Sequence, residues 1–204
     1  MGEPRRRLER GFLMVEVAIA IAIAGVIATG VVALLIWAAT VETRTSAATD
    51  YAVASHLGAD TLARLIRQAG GAGQAAIGGG NGSSLILCGV RETTRTWRGR
   101  VQVDGTGKLV VVPLTAPVPP DCQGSDLSGA RVLVAQVRIA SVQFRYHTAQ
   151  AAAPASGCNG NGLPPCADVV AIEFTLTPAL PTGPHQGVLR IVPHPVSRLV
   201  TLRN

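Results

Sequence analysis

The sequence lacks the short motifs on which many enzyme and metal sites are built. It has no Gly-x-x-x-x-Gly-Lys-Ser/Thr phosphate loop, no Gly-x-Ser-x-Gly nucleophile elbow and no Asp-x-Asp-x-Asp-Gly calcium loop. It also has no Cys-x-x-Cys pair, and no histidine lies between His147 and His185, close to the last two cysteines. We therefore expect that the chain is not an enzyme, and that it has no catalytic residue, no metal site and no cofactor.

Proline is missing from a long part of the chain, since Pro113 is the first proline after Pro4. Residues 38–69 are rich in alanine, a strong helix former, and Gly58 is their only glycine. Apolar residues recur there at helical spacing, while most charged residues lie off that stripe. This pattern predicts an amphipathic helix, ended by the glycines at 70, 71 and 73, because glycine readily adopts the left-handed cap conformation.

Polar residues are scarce in the preceding segment, where Glu16 and Thr29 are the only strongly polar side chains from Phe12 to Trp37. As a helix this segment is about 39 Å long at ~1.5 Å per residue. It therefore exceeds the ~30 Å hydrocarbon core of a bilayer. The simple alternative is a signal anchor or an uncleaved secretory signal. A secretory signal, however, has a shorter apolar region. A carboxylate inside such a run is also costly, which makes Glu16 a candidate functional residue.

The formal net charge of +6 is partly local, because the first eleven residues hold four arginines against two glutamates. Arginines that directly precede an apolar span stay in the cytoplasm by the positive-inside rule. We therefore interpret them as a signal of membrane topology, and expect an N-terminus in the cytoplasm.

The segment Arg10-Gly11-Phe12-Leu13-Met14-Val15-Glu16 resembles the class III leader junction of type IV pilins and type II secretion pseudopilins. The resemblance implies cleavage between Gly11 and Phe12 by a prepilin peptidase, which also N-methylates Phe12. It implies that Glu16 pairs with the α-amino group of a neighbouring subunit. The implied partners are this peptidase and N-methyltransferase, other major and minor pilins or pseudopilins, and inner-membrane lipid.

Short apolar runs separated by turn residues follow the helix, and they predict strands. These runs are Ser84–Val90, Arg100–Val103, Lys108–Pro113, Arg131–His147, Asp168–Thr177 and Val188–Val192. The sequence Asp104-Gly105-Thr106-Gly107 predicts a hairpin turn. The stretch from Gly70 to Ser84 is so rich in glycine that we expect no regular structure there. The predicted fold class is α+β, a long N-terminal helix packed on a small, mainly antiparallel β-sheet head.

Three further segments resemble W-type minor pilins (PilW-like) and J-type minor pseudopilins of type II secretion. They are Leu62–Gly70, with its Arg-Gln-Ala-Gly end, the strand segment Val134–Tyr146, and the ending Arg198–Asn204. The resemblance implies a minor pilin that primes or caps a type IV pilus or related filament, or alternatively a minor pseudopilin. It implies a leader 1–11, a transmembrane and filament-core helix 12–37, its amphipathic continuation 38–69, and a periplasmic head 70–204.

Four cysteines, Cys88, Cys122, Cys158 and Cys166, all follow the predicted span. An even number on a periplasmic side indicates disulfides. Four cysteines allow three pairings, between which sequence cannot choose. We favour Cys158–Cys166, which closes a short loop, and Cys88–Cys122.

One basic segment is an alternative site. Cationic and aromatic side chains alternate there, namely Arg91, Arg95, Trp97, Arg98 and Arg100. Such a patch can bind DNA or another anionic polymer by charge and stacking, which would make the chain a pilus-associated binding module. A solvated strand edge is the simpler interpretation, and we favour it over nucleic acid as a partner.

Overall fold

The structure is a computed structural model that describes residues 5–70, 75–93, 95–115, 122–135, 137–159, 162–179 and 194–202. The side chains of residues 5–13, 44, 47 and 48 also lie outside this description. The chain divides into two compact units, Met1–Ala47 and Ala48–Asn204. The predicted α+β class is confirmed, because one long helix precedes a set of antiparallel strands.

Helix α1 runs from Arg5 to Gln68. The absence of proline from this range lets the backbone hydrogen bonds continue without a break. The helix ends where the sequence predicts, since Gly70 has a φ of +78°, in the left-handed region that glycine adopts at little cost.

In the described part of the chain, nine strands follow helix α1 and form two sheets. They are β1 (Ile77–Asn81), β2 (Ser84–Glu92), β3 (Arg95–Val103), β4 (Leu109–Val112), β5 (Ser125–Asp126), β6 (Arg131–Val134), β7 (Ile139–Thr148), β8 (Val169–Pro178) and β9 (Val196–Thr201). The first sheet has the order β1-β2-β3-β4-β6 and is antiparallel, with β5 parallel to β3. The second is the antiparallel sheet β7-β8-β9. The predicted hairpin turn lies between β3 and β4, where Asp104 Oδ1 accepts hydrogen bonds from the backbone N–H groups of Thr106 and Lys108.

Two strand predictions need correction. The run Arg131–His147, predicted as one strand, forms β6 and β7, which belong to different sheets. The glycine-rich stretch was expected to lack regular structure, yet it contains strand β1. The predicted strand Val188–Val192 lies outside the described residues.

Strand β1 contains three consecutive glycines, and two of them have a steric reason. A Cβ at Gly78 would lie 2.7 Å from Cys88 Sγ and 2.9 Å from Cys122 Sγ, and a Cβ at Gly80 would overlap the hydroxyl of Tyr146. Other groups therefore approach the β1 backbone more closely than a side chain would allow, which is one of the situations in which strands contain glycine.

The core of the Ala48–Asn204 unit lies between the end of helix α1 and the two sheets. Helix residues Leu62 and Ile66 are fully buried, as are Phe144 on β7 and Phe174 on β8. At the edge of this core Arg198 on β9 reaches the helix, with Nε 3.4 Å from Asp60 Oδ1 and Nη2 3.3 Å from His56 Nδ1. The amphipathic face predicted for residues 38–69 thus packs on the sheets in its second half.

Gly58→Ala is expected to lower the free energy of unfolding by about 1–2 kcal/mol, because overpacking outweighs the gain in helix propensity. A Cβ at Gly58 would overlap Cγ2 of Val134 on β6. Chemical denaturation of the full-length chain in detergent measures the change, with Gly105→Ala as a control, because a Cβ there meets nothing within 4 Å. The double variant Gly58→Ala/Val134→Ala should lose less free energy of unfolding than the two single variants lose together. Losses that simply add would contradict the contact between Gly58 and Val134.

Candidate functional site

The candidate site begins with the apolar part of helix α1. Residues Met14–Thr43 form one segment that is long and apolar enough to span a membrane, with a mean hydropathy of 2.8. None of its most apolar part is buried by the chain itself. Met14 is 79 % exposed and Ile21 is 67 % exposed. The burial that makes an apolar helix stable must therefore come from outside the described part of the chain, from lipid or from other protein.

The hydroxyl groups in this segment are satisfied by the helix itself. Thr29 Oγ1 donates to the carbonyl oxygens of Gly25 and Val26, each at 2.9 Å, and Thr43 Oγ1 donates to Ala39 O at 3.1 Å. Such bonds to the preceding turn let threonine remain in an apolar environment. These threonines need no partner from another molecule.

Glu16 is different, because it is the only ionisable side chain between Arg10 and Glu42. Its side chain is exposed, and among the described residues none donates a hydrogen bond to it or forms an ion pair with it. A carboxylate in an apolar setting is stabilised only when a cation or several donors approach it. Any group that neutralises Glu16 there lies outside the described residues.

The predicted cleavage site, Gly11 and Phe12, lies on the helical backbone of α1 five and four residues before Glu16. The side chain of Phe12 lies outside the described residues, and the cleavage and N-methylation remain predictions. Residues four apart in a helix are neighbours on one face, so positions 12 and 16 lie on the same side of the helix.

The first disulfide joins Cys88 to Cys122, with a Cα–Cα distance of 5.0 Å. It sits at a bulge in β2, where pairing with β3 shifts register between Leu87 and Val90. Cys88 O accepts a hydrogen bond from Gly70 N at 2.9 Å, and Cys88 N donates to Ala76 O at 3.0 Å. The bulge thus connects the end of helix α1, the start of β1 and the segment that contains Cys122.

The second disulfide joins Cys158 to Cys166 and closes a loop with a sequence separation of 8. Asn159 shapes this loop in the left-handed conformation at a φ of 59°, and its Oδ1 accepts a hydrogen bond from Cys166 N at 2.9 Å. Cys158 N donates to Gly80 O at 3.2 Å, which holds the loop against β1. Both disulfides are the pairs that the sequence analysis favours.

The basic segment on β2 and β3 is not a continuous patch of cations and rings. Trp97 is only 4 % exposed and lies in the core, so its ring is not available to stack on a ligand. This corrects the suggestion that Trp97 takes part in a patch that binds an anionic polymer. Arg98 donates from Nε to Asp126 Oδ1 at 2.8 Å and from Nη1 to Cys122 O at 3.0 Å. Arg91 and Arg95 are exposed, and Arg100 is partly buried.

The hydrogen bond from Arg98 lowers the pKa of Asp126, although burial opposes the shift. Because the folded pKa lies below the unfolded one, this carboxylate stabilises the fold above the unfolded pKa of Asp and loses that contribution as the pH falls through the lowered pKa. The ion pair is therefore formed at neutral pH and fixes Arg98 to its own chain.

Sequence reasoning did not single out Arg145, which is exposed on β7, or the close contacts of Gly78 and Gly80. The run of three glycines at positions 78, 79 and 80 was the available signal for the close contacts. Comparison of the chain with protein-family models, with curated proteins and with solved structures found no match.

Proposed function

We propose that this chain is a minor pilin subunit of a type IV pilus or a related filament, made as a prepilin and anchored in the inner membrane before assembly. The observation that carries the proposal is the apolar segment Met14–Thr43, whose most apolar part the described residues leave exposed, and within it Glu16, a carboxylate inside the apolar run that has no partner among the described residues. An assembly helix needs these two features, apolar surface for its neighbours and one polar group that selects the register.

The proposed mechanism is assembly, with no chemical turnover. In the bilayer the helix is solvated by lipid, the N-terminus is cytoplasmic and the β-rich unit is periplasmic. Removal of residues 1–11 creates a free α-amino group at Phe12. On assembly the helix exchanges lipid for the helices of neighbouring subunits, and Glu16 accepts the amine of a neighbour, so that each charge relieves the desolvation cost of the other.

The two disulfides support a periplasmic location for the head, because disulfides persist in that oxidising compartment. The resemblance to J-type minor pseudopilins leaves a second candidate, a minor pseudopilin of a type II secretion system, which would use the same helix and the same processing. Recovery of the tagged chain from filaments sheared off the cell surface supports the pilus. Retention of all processed chain in the cell envelope, in cells that make surface pili, supports the pseudopilus.

Processing is tested by the mass of the chain extracted from membranes of cells that contain a prepilin peptidase. The expected product begins at Phe12 and carries one additional methyl group. Gly11→Leu should leave the leader attached, because a bulky side chain before the cleaved bond prevents close approach of the peptidase to the backbone. Gly25→Ala is the matched control in the same helix, since a Cβ at Gly25 meets nothing within 4 Å. A wild-type chain that keeps residues 1–11 would contradict the proposal and support a simple signal anchor.

A further inference from the structure

A polar groove runs along one side of β7 within the Ala48–Asn204 unit. It consists of two adjoining depressions, of about 710 Å³ and about 430 Å³, which share Ser83, Ser141 and Val142 in their walls. The larger depression extends to Arg145 and Ser156, and the smaller one extends to Arg100 and Gln102. Each volume is in the range of known ligand sites.

The charge in this groove has one sign. One arginine stands in each depression, and neither wall contains an aspartate or a glutamate among the described residues. Arg100 and Arg145 form no ion pair or side-chain hydrogen bond with another described residue. Glu173 lies opposite Arg145 in the β7–β8 pairing, but its carboxylate contacts His147 at 3.5 Å. No described residue therefore occupies either guanidinium group, and within that part of the chain both can bind an anion from solution.

The wall between the two arginines is rich in hydroxyl groups and is held in place. Asn81 Oδ1 accepts hydrogen bonds from the backbone N–H of Ser83 at 2.9 Å and of Ser84 at 2.8 Å, and it also accepts from both serine hydroxyls. Phe144 N donates to Gly82 O at 2.9 Å, which attaches this β1–β2 turn to β7. A wall fixed in this way loses little entropy when a ligand binds.

The aromatic rings near the groove are buried. Tyr146 is fully buried, and its hydroxyl lies 3.3 Å from Asn81 O and 3.2 Å from Ser84 O. Phe144 is also buried, so no described wall residue offers an exposed ring for base stacking. Single-stranded nucleic acids depend on such stacking. Hydroxyl and amide groups between two arginines match a chain that carries both hydroxyls and carboxylates, because guanidinium binds carboxylate with two parallel hydrogen bonds.

We propose that this groove binds a carboxylated polysaccharide, with Arg100 and Arg145 each holding one carboxylate and the serine and glutamine side chains contacting the sugar hydroxyls. The site is independent of the assembly helix. It would make the head an adhesive surface for acidic glycans, whichever filament carries it.

Binding of the full-length chain in detergent micelles to immobilised polygalacturonate tests the proposal, with dextran as the neutral polymer and a single-stranded DNA oligonucleotide as the second polyanion. The wild-type chain should bind polygalacturonate and show no binding to dextran. Arg100→Gln/Arg145→Gln should weaken binding roughly a hundredfold, since each charge-assisted contact contributes about a factor of ten or more.

The matched control is Arg91→Gln/Arg95→Gln, which removes the same charge from exposed arginines that do not line the groove. It should change binding by no more than about twofold in 0.15 M salt, where charges beyond a Debye length of ~8 Å are screened. An equal loss in both double variants would show that binding follows total charge and would overturn the proposal. It would also be overturned if the wild-type chain bound DNA more tightly than polygalacturonate, or failed to bind polygalacturonate at low salt.

Discussion

Removal of the Cys88–Cys122 disulfide is expected to lower the free energy of unfolding by about 4 kcal/mol, the value that chain entropy gives for a sequence separation of 34. The loss has a second source, because Cys88 and Cys122 are buried and their sulfur atoms lie against Gly78. Cys88→Ala/Cys122→Ala leaves that space unfilled, which adds a cavity cost. Urea unfolding of the full-length chain in detergent, followed by near-UV circular dichroism, measures the change.

Cys158→Ala/Cys166→Ala is the matched control for this experiment. The same entropy estimate gives about 2.5 kcal/mol for a sequence separation of 8, so this variant should retain more stability. Its loop also keeps the hydrogen bond from Cys166 N to Asn159 Oδ1. An equal loss of stability in the two double variants would contradict the central role that we give to the Cys88 bulge.

Glu16→Val is expected to leave leader removal intact and to reduce incorporation into filaments by at least about a hundredfold. The reason is that a neighbour's α-amino group would be buried without its partner, and breaking a buried pair in this way costs about 3–5 kcal/mol. The measurement compares the processed chain in the membrane fraction with the chain in sheared filaments by quantitative immunoblotting. Glu16→Gln should also reduce incorporation into filaments. It keeps the size of the side chain but removes the charge, so the neighbour's α-amino group still lacks its partner.

Thr29→Val is the matched control, because it also exchanges a polar for an apolar side chain within the same helix. The Thr29 hydroxyl donates only to carbonyl oxygens of its own helix, so its loss should leave incorporation within about twofold of wild type. If Glu16→Val reached filaments at the wild-type level, the proposed pairing would be wrong. If Thr29→Val failed as severely as Glu16→Val, general helix packing would explain both results.

The long helix could be predicted because its signals are local. Residues 12–69 lack proline, their apolar pattern is helical, and glycine ends the helix at the expected place. Most strands could also be predicted from β-branched residues and turn signals. The break between β6 and β7 could not be predicted, because Arg131–His147 has the pattern of one apolar run. Only the pairing in three dimensions assigns its two halves to different sheets.

Strand β1 was missed because its stability is not local. Glycine weakens an isolated strand, so Ile77–Asn81 has no intrinsic signal. It forms by antiparallel pairing with β2, and its glycines leave room for the Cys88–Cys122 disulfide and for Tyr146. The groove was missed for the same reason, since Arg100 and Arg145 belong to different sheets and only folding brings them to one surface.

The connection between Cys88 and the end of helix α1 has a mechanical consequence. If the chain serves as a filament subunit, as proposed, tension along the filament would reach the β-rich unit through this helix, whose final turns are buried among the sheets. At the point where the helix ends, Gly70 is hydrogen-bonded to the residue that carries the Cys88–Cys122 crosslink. The crosslink limits how far the chain can be drawn out from this end, because the residues between Cys88 and Cys122 cannot be extended while the disulfide is intact.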